Sequence, residues 1–212
     1  MRDVLVLRPR PQADATAARA RGLGLTVHCQ PLFTILPVPW TLPDEPFDAL
    51  LLTSANAVRH AGRLPPLPAH AVGPATAAAA RAAGLEVASV GVGGVDDLLA
   101  ALPGDLRLLH LCGADRIQLA ATEPKIVAVT VYRAEQLPLP PASQVEGRVL
   151  LVHSPAAGAR LLDLDCSRQK VRIAAISAEA ARACGPGWAG CEAATKPTDT
   201  ALLSLACELC KD

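Results

Sequence analysis

The chain has 212 residues, 51% of them hydrophobic and 19% charged, with twenty basic and twenty acidic side chains in balance. That length and apolar content can bury one large core or two small ones, while the lack of a basic run and an aromatic content of 2% exclude a base-stacking nucleic-acid platform. No uninterrupted apolar run approaches the roughly 18 residues of a membrane span, and seven cysteines without a secretory signal pattern read as free thiols of a reducing cytoplasm.

In chain order, "DVLVLR" (3–8) predicts a strand, too short an apolar run to be a signal peptide, and residues 12–22 predict a helix ended by Gly22 or Gly24. "LTVHC" (25–29) predicts a second strand, "PLFTILPV" (31–38) an extended segment between prolines, and "PWTLPDEPFD" (39–48) a loop. "ALLLTSANAV" (49–58) reads as a strand entering a helix, "AVG" (71–73) as a short strand, and "PATAAAARAAG" (74–84) as a helix with Pro in its first turn and Gly after its end. "LEVASVG" predicts a strand, "GVDDLLAAL" a capped helix, "LRLLHLCG" (106–113) a strand, and "IVAVTVYRAE" (126–135) a second extended segment. "VLLVHSPAAG" (149–158) repeats the strand-to-helix pattern, and the chain closes on a helix with Leu202, Leu205 and Leu209 inward. Such alternation predicts an α/β fold with parallel sheets flanked by helices.

The chain also repeats itself at a spacing of roughly one hundred residues. "ALLLTSANAV" (49–58) matches "VLLVHSPAAG" (149–158) with Ser54 on Ser154, "AAARAAG" (78–84) matches "EAARACG" (179–185), and "VLVLRP" (4–9) is similar to "LLHLCG" (108–113). The order of these units is permuted. The expectation is two similar α/β domains, the second inserted into the first: residues 1–32 with 140–212, and residues 39–126. Residues 31–38 and 127–136 would link them as a two-stranded β-ladder.

Several segments share one layout, a buried strand followed by small or hydroxylated residues and a helix start: "LRPRP" (7–11), "TSANA" (53–57), "VGPAT" (72–76), "CGAD" (112–115), "HSPAA" (153–157) and "ISAEA" (176–180). Ligands bind at the carboxyl ends of strands in open α/β sheets. Helix starts there present unpaired N–H groups and the positive end of the dipole to anions. Ser54, Asn56, Thr76, Ser154 and Ser177 read equally as helix N-caps, and one hydroxyl can serve both ends.

These motifs, with "AVGPATAAAARAAGL", "LHLCGADR", "VTVYRAE", "IAAIS" and "KPTDTALLSLACEL", resemble in order and over almost the whole chain those of the uroporphyrinogen-III synthase family. The resemblance implies two α/β domains with the active site in the cleft between them. It implies the substrate hydroxymethylbilane, a linear tetrapyrrole with eight carboxylates, and a cyclisation that loses water and inverts ring D through a spiro intermediate. It implies no cofactor and no metal. A monomer in the cytoplasm is the default expectation, with transient handover from hydroxymethylbilane synthase, and the composition speaks against a nucleic-acid or membrane partner. Carried onto this sequence, Tyr132 is the candidate catalytic acid, with packing of the ladder as its other reading. Arg8, Thr53, Ser54, Asn56, Gly73, Thr76, Gly113, Arg116, Ser154 and Ser177 are candidate substrate-binding residues.

Ala178 and Glu179 stand where the family often has hydroxyls, and Glu179 would repel an acidic substrate unless it turns away. They are the best support for the alternative, a non-catalytic tetrapyrrole-binding or regulatory protein of the same fold. "CELC" (207–210) has no second cysteine pair or histidine pair to complete a zinc site. His153 and Ser154, adjacent on a strand, point to opposite faces and cannot form a nucleophile pair.

Overall fold

The computed structural model describes residues 1–91, 93–115, 119 and 124–211. In chain order these form β1 (Val4–Val6), α1 (Gln12–Gly22), β2 (Val27–Cys29), β3 (Phe33–Pro37), β4 (Ala49–Leu52), α2 (Ala55–His60), β5 (Ala69–Val72), α3 (Pro74–Ala82) and β6 (Val87–Gly91). They continue with α4 (Val95–Ala100), β7 (Arg107–Gly113), β8 (Lys125–Gln136), β9 (Val149–Val152), α5 (Pro155–Arg160), β10 (Arg172–Ala175), α6 (Ala178–Ala183), β11 (Gly190–Ala193) and α7 (Asp199–Leu209). The mixed α/β class expected from the alternation is present. Contacts divide the chain into a first unit, Met1–Thr34 with Gln136–Asp212, and a second, Ile35–Glu135.

In the first unit the sheet order is β11-β10-β9-β1-β2, with every neighbouring pair parallel. The inner strands β1, β9 and β10 are buried on both faces, which is why they read as continuous apolar runs. Val4, Val6, Val149, Leu151 and Ala174 meet α1 and α7. Leu5, Leu150, Val152, Ile173 and Ala175 meet α5 and α6. The strand β11, "GCEA", has no β-branched or aromatic residue and escapes a propensity reading, yet it pairs with β10 from Arg172↔Gly190 to Ala175↔Ala193.

In the second unit the order is β3-β8-β7-β4-β5-β6, and β4 to β8 are mutually parallel. The first of these, β3, lies at the edge beside β8, where Val38 N–H donates to Val131 O at 2.9 Å. Residues of α2 and α3 cover one sheet face and those of α4 the other. The orders β11-β10-β9-β1-β2 and β6-β5-β4-β7-β8 are the same order, with β9 and β4, the strands that precede Ser154 and Ser54, central in each. The permuted sequence repeat therefore corresponds to two copies of one strand arrangement.

The helix ends follow from local chemistry. Beyond α1, Gly24 takes φ +81°, Leu25 N–H donates to Ala20 O and Gly24 N–H to Arg21 O, a Schellman closure that needs a residue without Cβ. Gly84 closes α3 in the same way, with bonds to Ala80 O and Arg81 O. The helix α6 has six residues where α3 has nine. Each unit holds one of the two tryptophans. Trp188 Nε1–H donates to Cys184 O at 3.0 Å beneath the Arg168 guanidinium, 4.9 Å from its ring centroid. Trp40 Nε1–H donates to Ala61 O at 2.7 Å.

Gly158 sets the approach of α5 to α6. A Cβ there would stand 2.7 Å from Ala180 O and 3.1 Å from both Ala183 Cβ and Cys184 N. Helix propensity alone favours Ala over Gly by about 1 kcal/mol. The Gly158→Ala variant is nevertheless expected to destabilise the protein by about 1–3 kcal/mol through overpacking against backbone. Chemical denaturation checks this, and a neutral or stabilised variant would show that the helices can separate freely.

Candidate active site

Parallel strands send all their strand-to-helix junctions to one edge of the sheet. In the first unit that edge carries Arg8 after β1, His153 and Ser154 after β9, and Ser177 after β10. In the second it carries Thr53, Ser54 and Asn56 after β4, Gly73 and Thr76 after β5, Gly113 at the end of β7, and Tyr132 opposite it on β8. The predicted residues thus fall on two strand edges, one per unit. Arg116 lies outside the described residues.

Three of the hydroxyls are helix caps. Ser54 Oγ accepts from Asn56 N–H, Ser154 Oγ from Ala157 N–H and Ser177 Oγ from Ala180 N–H, each at 3.2 Å. Each such cap is worth about 1 kcal/mol. Asn56 and Thr76 are not caps, which corrects the cap reading of those two positions. Asn56 is the second residue of α2, and Thr76 is buried inside α3. The cap position of α3 belongs to Gly73, whose φ of +83° a side chain would strain, and whose N–H donates to Gly91 O at 2.8 Å.

Thr53 Oγ1 lies 3.0 Å from Nε2 of the buried His110, a hydrogen bond across neighbouring strands β4 and β7. Tyr132 is half-buried, its ring 6.4 Å from that of His60. The register shifts between Cys112 and Gly113, Ala114 N–H donates to Tyr132 O at 2.9 Å, and a Cβ on Gly113 would stand 2.8 Å from Tyr132 Cζ and 3.0 Å from its hydroxyl. Gly113 is therefore the space in which the Tyr132 ring lies.

The first unit's edge holds a charged cluster that the sequence reading missed. Asp199, the first residue of α7, accepts at Oδ1 from the Thr16 hydroxyl at 2.9 Å, and His153 Nε2 lies 3.0 Å from the same oxygen. Arg19 holds Oδ2 through Nε at 2.8 Å and Nη2 at 2.7 Å. Arg8 Nη1 reaches Oδ1 at 3.5 Å and Thr16 Oγ1 at 3.4 Å. Burial opposes charge on Asp199, but hydrogen bonds from His153, Thr16 and Arg19 outweigh it and hold the carboxyl well below the usual carboxylate range. An ionised carboxylate only accepts, so the proton of His153 sits on Nε2. Burial pushes His153 below its ordinary pKa, with Asp199 opposing, and burial likewise lowers Arg8. The available sequence signal was Thr16, a polar residue on the buried Ala13–Ala17–Ala20 stripe of α1, which required a partner.

Glu179 is exposed in the first turn of α6, where the helix dipole favours it. Among the described residues no group of three or more His, Cys, Asp or Glu side chains is placed to hold a metal ion, and no helix is long and apolar enough to cross a membrane.

Comparison with known proteins gives one family. The family model described as "Uroporphyrinogen-III synthase HemD" matches residues 14–204. No curated protein matches the sequence significantly. Among solved structures, the uroporphyrinogen-III synthetase of Helicobacter pylori is similar at 20% identity, with 99% of this chain and 100% of that chain covered and a TM-score of 0.70. A mutant uroporphyrinogen III synthase of the extremely thermophilic bacterium Thermus thermophilus is similar at 19% identity, with 99% and 100% covered and a TM-score of 0.54. At such identities these two likenesses speak to the fold.

The buried histidine gives the protein a pH response. His153 has a folded pKa below its ordinary 6.5, so both states are neutral above that value and the unfolded chain alone takes the proton just below it. Stability therefore falls as pH drops from 6.5 toward the folded pKa, and His60 and His70, also lowered first by burial, act in the same sense. Urea midpoints measured from about pH 7.5 to about pH 5.5 should fall, and His153→Gln should flatten the slope. A slope unchanged in the variant would remove His153 from this response.

Proposed function

This chain belongs to the uroporphyrinogen-III synthase family, and from that premise we propose that it cyclises hydroxymethylbilane to uroporphyrinogen III, a step of heme biosynthesis, as a cyclising hydro-lyase. The observation that carries the reading is the family match over residues 14–204, which takes in every proposed site residue except Arg8. Loss of the substrate's terminal hydroxyl gives an azafulvene. Attack on it by the substituted carbon of ring D forms a spiro intermediate, which fragments and recloses with ring D inverted, so that one water leaves overall.

Such a reaction asks the protein for orientation and charge placement more than for covalent chemistry. Helix starts capped by Ser54, Ser154 and Ser177, with Gly73 at the start of α3, suit the acidic side chains of the substrate. Arg8 supplies a guanidinium for a carboxylate. Thr53, Asn56, Gly113 and Arg116 complete the proposed binding set. Thr76, buried in its helix, fits this role least. Tyr132 is the proposed acid for the departing hydroxyl, its phenol held next to Gly113.

The second unit is read as inserted into the first, residues 39–126 within 1–32 and 140–212, with 31–38 and 127–136 as a two-stranded ladder. The edge position of β3 beside β8 and the matched strand orders support this. Seven cysteines free of disulfides support a reducing cytoplasm, and the proposed working form is a monomer that takes its substrate in a transient handover from hydroxymethylbilane synthase.

A coupled assay tests the function. Hydroxymethylbilane synthase and porphobilinogen supply substrate, and the oxidised porphyrins are separated into isomers I and III. Isomer III should predominate, and Tyr132→Phe should slow its formation by roughly 10²-fold or more if the phenol is the acid. Isomer I alone from folded protein would refute the cyclase. Full activity of Tyr132→Phe would leave Tyr132 a packing residue.

A further inference from the structure

We propose that Asp199 is a positioning residue that presents Arg8 to a substrate carboxylate at the strand edge of the first unit. This rests on the reading of Arg8 as a substrate-binding arginine, and it assigns a role to a residue that reading leaves unused.

The argument is one of charge and donor count. Two guanidinium groups share one carboxylate. Arg19 takes Oδ2 with two short contacts, at 2.7 and 2.8 Å, and so neutralises Asp199. Oδ1 already accepts from Thr16 at 2.9 Å and from His153 at 3.0 Å. What reaches Arg8 is the remainder, a contact of 3.5 Å to Oδ1 and one of 3.4 Å to Thr16 Oγ1, both through Nη1. That is enough to fix the direction of the guanidinium and too little to saturate it. Among the described residues its Nε and Nη2 have no hydrogen-bond partner. Those two donors form the edge that binds a carboxylate with two parallel hydrogen bonds. With His153 neutral, two cations against one anion leave the cluster one net positive charge, which is what an acidic ligand requires.

The residues that hold Arg8 come from three different elements. Thr16 and Arg19 lie on α1, His153 follows β9, and Asp199 begins α7, while Arg8 itself follows β1. Asp199 touches all of them. Removing its charge without changing its shape frees Arg8 to sample other rotamers, and the ordering is then done by the substrate at a cost in affinity.

A double-mutant cycle on the intact chain decides the matter, read as KM and kcat for hydroxymethylbilane from initial rates of isomer III formation. Arg8→Ala and Asp199→Asn should each raise KM, by roughly tenfold and roughly threefold to tenfold, with kcat changed less than about twofold. The double variant should be no worse than Arg8→Ala alone, because Asp199 acts through Arg8. A wild-type KM for Asp199→Asn, or effects that multiply in the double variant, would overturn the proposal while leaving Arg8 a substrate-binding residue. An unchanged KM for Arg8→Ala would instead remove the reading on which the proposal stands. Should Asp199→Asn fail to fold, Thr16→Val breaks the same bridge without changing charge. It should raise KM by about threefold in the parent and not in the Arg8→Ala background, and no rise in the parent would overturn the proposal.

Discussion

Everything at the two strand edges follows from the parallel alignment of the strands. A parallel pair cannot be closed by a hairpin, so each strand must hand over to a crossing segment at the same end of the sheet. Helix starts then crowd along that end, each with N–H groups that have no partner within the helix. Ser54, Ser154 and Ser177 each satisfy one such group and leave others directed outward. The body of each sheet is meanwhile buried on both faces by leucine, valine and alanine. Polarity is thereby concentrated at the strand ends, in a chain whose charges cancel overall.

The two edges differ in chemistry. That of the first unit is ionic, with Arg8, Arg19, His153 and Asp199 joined through Thr16. That of the second has a hydroxyl–imidazole pair in the matching place, since Thr53, which aligns with His153, bonds to His110. The phenol of Tyr132 lies on the same edge, against Gly113. In the proposed reaction this is a division between holding an acidic chain and assisting loss of a hydroxyl, two tasks that place opposite demands on local charge.

What could be read from the sequence was whatever is decided within a few residues. The bounds of α1 follow from the alanine stripe and Gly24, and the Ser54 and Ser154 junctions from a hydroxyl between an apolar run and a helix. The matching of β4–α2 to β9–α5 was visible because both copies keep that local grammar. What could not be read depends on register between distant segments. The strand β11 exists because β10 offers it an edge. Gly113 is shaped by the ring of Tyr132 on the neighbouring strand, and Asp199 by side chains at the other end of the chain. Asn56 and Thr76 carry the right chemistry for caps and sit too far into their helices to act as such.

The placement of the two indoles has an optical consequence. Trp188 is stacked under a guanidinium beside the Cys184 carbonyl in the first unit, and Trp40 is tied to the Ala61 carbonyl in the second. Each unit thus carries its own intrinsic fluorophore, in a different environment and with a single-residue exchange to phenylalanine available to silence the other. Emission from the two single-tryptophan proteins separates the melting of one half of the molecule from that of the other. Coincident transitions would make the chain one cooperative body, and split transitions would make each sheet with its helices a folding unit of its own.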